Sequence, residues 1–187
     1  RLMKNLMLGG HAMYGFRDQK VKYAAEAQWK LPLEKRLILG GKYLNDYRRI
    51  DYDYNDYMWR EDPIATGDES ILTTILAFRA QHRMSMREEL SAFLYYDWTP
   101  NVETKLVYRE VNFLTNELLP LVNEGVAYDN LLNRNIALTG RFSFGQNKID
   151  RHFYRKYVKS TKPVIYATAD LGDYRFGDQQ GNYAKLS

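Results

Sequence analysis

The chain has 187 residues, enough for about one domain, with a net charge of +4, no cysteine and a mean hydropathy of -0.56. The missing cysteines exclude disulfides, thiolate metal sites and cysteine nucleophiles, the small net charge argues against nucleic acid, and no apolar run approaches the roughly 20 residues of a bilayer-spanning helix. Sixteen tyrosines and three tryptophans beside modest aliphatic content suit strands that alternate between lipid and a wet lumen, where only every second residue must be apolar.

Taken in chain order, Leu8 to Phe16 sets Leu8, Ala12, Tyr14 and Phe16 against His11, Met13 and Gly15, and Arg17 to Lys20 makes a tight polar turn. Val21 to Leu31 is the clearest strand. There Val21, Tyr23, Ala25, Ala27, Trp29 and Leu31 alternate with Lys22, Ala24, Glu26, Gln28 and Lys30, over the length that a tilted membrane strand requires. Pro32 to Lys35 breaks the pattern, because proline cannot donate to a ladder. Arg36 to Tyr47 resumes it with Leu37, Leu39, Gly41 and Tyr43 on one face. Asp68 to Arg79 repeats Ile71, Leu72, Ile75, Leu76 and Phe78 at helical spacing, with Asp68 or Ser70 as cap, so a short helix in a long outer loop is expected. A poorly patterned strand is the alternative.

From Arg83 to Trp98, Met84, Met86, Leu90, Ala92, Leu94, Tyr96 and Trp98 oppose Arg83, Ser85, Arg87, Glu89 and Ser91, with Glu88 breaching the apolar side. Thr99 to Asn101 turns into a strand where Val102, Thr104, Leu106 and Tyr108 oppose Glu103, Lys105 and Arg109. Leu132 to Phe144 alternates Leu132, Ile136, Leu138, Phe142 and Phe144 with Asn133, Asn135, Thr139, Arg141 and Ser143. After Pro163 come Ile165, Ala167, Ala169 and Leu171, and Tyr183 to Leu186 starts a further strand.

The expected fold is all-β: an antiparallel, up-and-down transmembrane β-barrel, present in part as about seven strands and the start of an eighth, with residues 1–187 as one segment of it. Arg1 stands first with neither an initiator methionine nor the secretory leader such a barrel needs, so a fragment of a longer chain is expected. Membrane barrels alternate short periplasmic turns with long outer loops. Strand parity puts the long connections at roughly 47–82 and 112–131 outside and the connection at 146–162 in the periplasm.

Several stretches carry a family resemblance: Arg83-Met-Ser-Met-Arg-Glu-Glu-Leu with Tyr95-Tyr-Asp-Trp-Thr-Pro, then Leu138-Thr-Gly-Arg-Phe-Ser-Phe-Gly, Lys162-Pro-Val-Ile and Tyr183-Ala-Lys-Leu. On these the chain resembles the uncharacterised barrel domain found in Bacteroidetes behind a carboxypeptidase-regulatory-like domain. The resemblance implies an outer-membrane location, a periplasmic N-terminal part and further strands beyond Ser187. It implies no catalytic signature and no substrate.

Barrel enzymes pair a serine or aspartate with a histidine, but His11, His82 and His152 fall at scattered positions without a nucleophile motif. Asp51, Asp53, Asn55, Asp56 and Asp62 imitate a calcium loop, yet Asp56 stands where the glycine is required and no glutamate closes the loop. A solvated acidic loop is the plainer reading. Lys148, Arg151, Arg155, Lys156, Lys159 and Lys162 with Phe153, Tyr154 and Tyr157 suit either lipid phosphates or the docking of a periplasmic domain or protein.

The lumen-facing polar set is Lys22, Glu26, Gln28, Arg83, Arg87, Glu89, Lys105, Arg109 and Arg141. These residues either line a polar path or fill a narrow interior with paired charges. The function expected is a non-enzymatic outer-membrane barrel, without cofactor or metal, serving transport or receptor function through a plugged or gated lumen. Its partners are then outer-membrane lipid and not nucleic acid. A barrel assisting assembly or translocation of outer-membrane components is the alternative, and a surface enzyme acting on lipid or peptide the third reading.

Overall fold

The computed structural model describes residues 2–16, 19–49, 84–115, 120–123, 125–158 and 162–187. The expected helix at Asp68 to Arg79, the acidic run from Asp51 to Asp62, His82 and Arg83 lie outside the described residues. Within them the only helical element is the short 3-10 turn Leu2–Asn5. The rest is strand: β1 (Leu6–Gly15), β2 (Lys20–Lys30), β3 (Leu37–Arg49), β4 (Met84–Thr99), β5 (Val102–Leu114), β6 (Leu121–Asn123), β7 (Val126–Tyr128), β8 (Asn130–Ser143), β9 (Lys148–Asp150), β10 (Arg155–Tyr157), β11 (Val164–Phe176) and β12 (Gln179–Leu186). Eight of them form one sheet in the order β1-β2-β3-β4-β5-β8-β11-β12, every neighbour antiparallel. The other four make two small ribbons, β6 with β7 and β9 with β10, inside the connections before and after β8.

Directly paired residues share a face, so the register sorts every side chain. Glu26 faces Lys42, Asp46 faces Arg87, Leu44 faces Glu89, Glu103 faces Arg141, Arg109 faces Asn135, and Asp170 faces Lys185. These pairs define one polar face. The opposite face carries Trp29 with Leu39 and Leu94, Tyr43 with Leu90, Leu106 with Leu138, and Ile136 with Leu171. The polar face is the buried one and holds apolar residues as well, with Leu44, Val111 and Ala137 each 1% exposed. Arg141 is 1% exposed and Glu103 is fully buried, while Leu8 is 71% and Leu171 62% exposed.

Local chemistry sets the turns between strands. The Thr99 hydroxyl accepts from the amides of Asn101 (3.2 Å) and Val102 (3.1 Å), closing the β4–β5 hairpin just after a bulge between Asp97 and Thr99. Gly177 turns β11 into β12 at φ +59°, where a side chain is strained.

On the polar face, aromatic rings lie over glycines of the neighbouring strand, Phe93 over Gly40 and Tyr183 over Gly172. A Cβ at Gly172 meets the Tyr183 ring at 2.5 Å and the carbonyl oxygen of Arg134 at 2.6 Å, whereas at Gly41 the nearest atom is the Ser91 carbonyl at 3.6 Å. Gly172→Ala is therefore expected to cost about 1–3 kcal/mol. Gly41→Ala is expected to be neutral or slightly stabilising, through the unfolded chain. Denaturant midpoints of the two variants check the difference.

Candidate functional site: a ribbon seated on the polar face

The β4–β5 hairpin sets Asp97 directly opposite Glu103, on the polar face and beside the turn. Two carboxylates facing each other across an antiparallel pair repel, so this register needs a cation between them. The β9–β10 ribbon supplies it. Arg155 donates from Nη2 to Asp97 Oδ2 at 2.6 Å and from Nη1 to Glu103 Oε1 at 3.0 Å, and the same Nη1 donates to the Tyr95 hydroxyl at 3.0 Å. Its Nε and Nη2 also bind Asp150, its cross-strand partner in the ribbon. The planar guanidinium fork suits this task, since it presents donors to several carboxylate oxygens at once.

Glu103 gathers further partners. Lys148 Nζ and the Tyr157 hydroxyl both donate to it, and Arg141 lies 3.6 Å away. The Arg141 guanidinium stacks 3.8 Å from the Tyr157 ring centroid and donates to Tyr166 and Gln146. At the near edge, Arg36 in the β2–β3 turn donates to the carbonyl of Arg151 at 3.0 Å and approaches Asp150 at 3.6 Å. Tyr154 reaches the Met7 sulfur on β1 at 2.7 Å. The ribbon thus spans the polar face from β1 to β8 at one end of the sheet. A fully buried Glu103 is tolerable only with this set of cations and donors, because an isolated buried carboxylate costs several kcal/mol.

The ribbon itself alternates. Lys148, Arg155 and Tyr157 turn to the sheet and Asp150 bonds Arg155 while staying 57% exposed, whereas Ile149, Lys156 and Val158 are exposed together with Arg151 and His152. The basic group read from sequence at Lys148 to Lys162 is accordingly divided, because Lys148 and Arg155 are drawn inward by Glu103 and Asp97. The hydrogen bond from Arg155, reinforced by the charges of Arg155 and Arg36, holds the Asp150 carboxyl below its ordinary range despite partial burial. Burial, then the Glu103 carboxylate, pushes the Tyr157 phenol up. Burial opposes the charge of Arg155, but its bonds to Asp150 and Asp97 outweigh that and keep it a cation.

The polar residues singled out by sequence fall on this same face, apart from Arg83, which is not described. Glu26 lies against Gly9 and opposite Lys42, Gln28 opposite Gly40, and the Lys22 ammonium 4.9 Å from the Tyr47 ring centroid. Arg87 pairs with Glu89 at 2.8 Å, both buried, and Lys105 sits 5.3 Å from the Phe93 ring. Arg109 faces Asn135 across β5 and β8. Among the described members of the set, Arg141 enters the cluster beneath the ribbon, beside Glu103 and Tyr157. The sequence marks Arg155 and Tyr157 only as members of the basic connection, and it does not mark Tyr95 or Asp97 as part of a site. The signal available was the hairpin itself, since a turn at Thr99 to Asn101 places Asp97 against Glu103.

His11 is exposed on the polar side of β1, and His152 packs edge-on to Phe153. Among the described residues no group of three or more histidine or carboxylate side chains converges as metal ligands. No family model, no curated protein and no solved structure matches the chain.

Arg155→Met leaves Asp97 and Glu103 facing each other beneath the ribbon and is expected to cost about 3–5 kcal/mol. Adding Asp97→Asn to that variant removes the repulsion and should recover part of the loss, so denaturant midpoints of the single and double variants should be non-additive. The pH dependence has a definite sign. With its folded value lowered, Asp150 contributes stability above the ordinary carboxylate range near pH ~4 and loses that contribution as pH falls through the folded value. The advantage of the native chain over Asp150→Asn in denaturant midpoint should therefore be full at neutral pH and fade in acid.

Proposed function

We propose that this chain is a segment of an outer-membrane β-barrel whose apolar face meets lipid and whose polar face lines a lumen, and that its function is non-enzymatic transport or reception through that lumen. The observation that carries this reading is the inverted burial. Charged side chains such as Arg87, Glu89, Arg109 and Arg141 are buried, while Leu6, Leu8, Val21, Leu90, Leu138, Ile165 and Leu171 are exposed. In water, each large apolar side chain left exposed forgoes about 1.5–3 kcal/mol, so a face made of them requires an apolar medium.

The distribution along the strands supports the same medium. Small and aliphatic residues, among them Ala25, Ala27, Ala92, Leu106, Ile136 and Ala167, occupy the middle of the apolar face. Aromatics flank them. Tyr23 stacks on Tyr43 at 5.8 Å and Tyr14 meets Phe16 edge-on toward one end, and Tyr96 meets Trp98 at 4.8 Å toward the other. Aromatic girdles on either side of an aliphatic belt are the signature of an outer-membrane strand. Strands such as β5, 13 residues long, exceed the roughly 9–11 that cross a bilayer. The excess turns polar on the outer side, where Arg134 pairs with Glu110 at 3.0 Å.

The resemblance of the Arg83 to Pro100 and Leu138 to Gly145 stretches to the Bacteroidetes barrel domain agrees with this reading. In it, the end bearing the two long connections faces outward and the end bearing the β9–β10 ribbon faces the periplasm.

Arginine at Ala25 or Ala27 should cost about 2–4 kcal/mol of barrel stability where the residue lies near the bilayer midplane, and arginine at Gln28 far less. Unfolding titrations in lipid vesicles check this, and equal costs on the two faces would remove the membrane assignment.

A further inference from the structure

We infer that the β9–β10 ribbon is a removable plug for the polar path, latched by insertion of Arg155 between Asp97 and Glu103. The inference rests on the barrel reading above and deepens it by naming the gate.

Position is the first ground. The ribbon contacts β1 through Met7, the β2–β3 turn through Arg36, β4 through Asp97, β5 through Glu103 and β8 through Arg141. A segment that touches the polar side of the sheet from β1 to β8 at one level covers that end of the face, where a polar path bounded by it would open.

The mode of attachment is the second. Among the described residues, the backbone bonds of the ribbon are internal: the β9–β10 pairing, the Arg151 amide to the Tyr154 carbonyl at 2.8 Å, and the Val158 amide to the Asn147 carbonyl at 2.9 Å. Its bonds to the sheet pass through side chains, and those of Arg155 and Lys148 to Asp97 and Glu103 are ionic. Strands of the wall are held by continuous ladders, so the wall can persist when the ribbon leaves. On its N-terminal side a short lead at 144–147 joins the ribbon to β8.

Chemistry is the third. The Asp97–Glu103 pair repels when empty; from the ribbon Lys148 and Tyr157 bond Glu103 and Arg155 bridges both carboxylates, so the latch is one ionic seat with Arg155 at its centre. A buried ionic seat is released by a competing charge or by loss of one partner, in a way that an apolar plug is not. Arg151, His152 and Lys156, exposed on the other side of the ribbon, leave it open to approach from the periplasmic end.

The test is conductance of the full-length protein in planar bilayers of outer-membrane lipid, with potassium chloride as the permeant. The native chain should conduct little. Arg155→Ala, and separately the replacement of residues 147–158 by a glycine-serine linker, should raise the open conductance by about tenfold or more. A cysteine-free chain permits a closing control. With Met7→Cys and Tyr154→Cys joined by a short bis-maleimide, the conductance should stay at the closed level even in the Arg155→Ala background.

If the native protein and the variants insert and conduct alike, the ribbon is not a gate and the inference falls. It falls equally if the native chain inserts while both ribbon variants fail to, because the ribbon is then part of the wall. Failure of the native protein itself to insert, with no compact band in unheated detergent gels, instead strikes the barrel reading on which the inference rests.

Discussion

Register is the constraint on which the rest of this molecule depends. In a strand the side-chain period is two, so a slip of one residue between β4 and β5 would send Glu103, Lys105 and Arg109 to the apolar side and Leu106 and Tyr108 to the polar side. The hairpin turn closed by the Thr99 hydroxyl, with its bulge at Asp97 to Thr99, fixes that register. The same turn sets two carboxylates face to face and so creates the demand that Arg155 meets. One local feature therefore decides the polarity of both faces and the seat of the ribbon.

The electrostatic arrangement follows from that seat. Glu103 is the most deeply buried charge among the described residues, and the cations around it come from three different elements: Arg141 from β8, Lys148 from β9 and Arg155 from β10. Charges drawn from separate elements onto one carboxylate act as a clasp. They specify where the ribbon lies more than they add to net stability, because desolvation cancels much of the attraction.

Most of the sheet was legible in the sequence, because alternation over ten or more residues is a strong local signal. Val21 to Leu31 corresponds to β2, Arg83 to Trp98 to β4, and Leu132 to Phe144 to β8, each within about two residues. The strand after Pro163 was read only as far as Leu171, because Asp173 and Arg175 interrupt its apolar set, yet β11 continues to Phe176. Gln179 to Asn182 was missed at the start of β12 for the same reason, since Gln-Gln-Gly-Asn has no apolar member. The ribbons were invisible. Three-residue strands such as Lys148–Asp150 and Arg155–Tyr157 are too short to show a period, and ion pairs between residues 52 or 58 apart in sequence leave no local trace. What alternation could convey was which residues share a face, and it could not convey that a later segment returns to cover them.

The order of the strands has a bearing on how the molecule assembles. Among the described residues, neighbours in the main sheet follow one another in chain order, so each new strand finds its partner at the edge just formed. The entropy of closing a loop is then small at the short turns β1–β2, β2–β3, β4–β5 and β11–β12, where the sheet can grow one hairpin at a time. The ribbon obeys the opposite arithmetic. Tyr154 meets Met7 across 147 residues of sequence, and its companion Arg155 needs both sides of the β4–β5 hairpin in place. Its contacts are thus among the most non-local of the described residues, and they require β1 and the β4–β5 hairpin to be in place already.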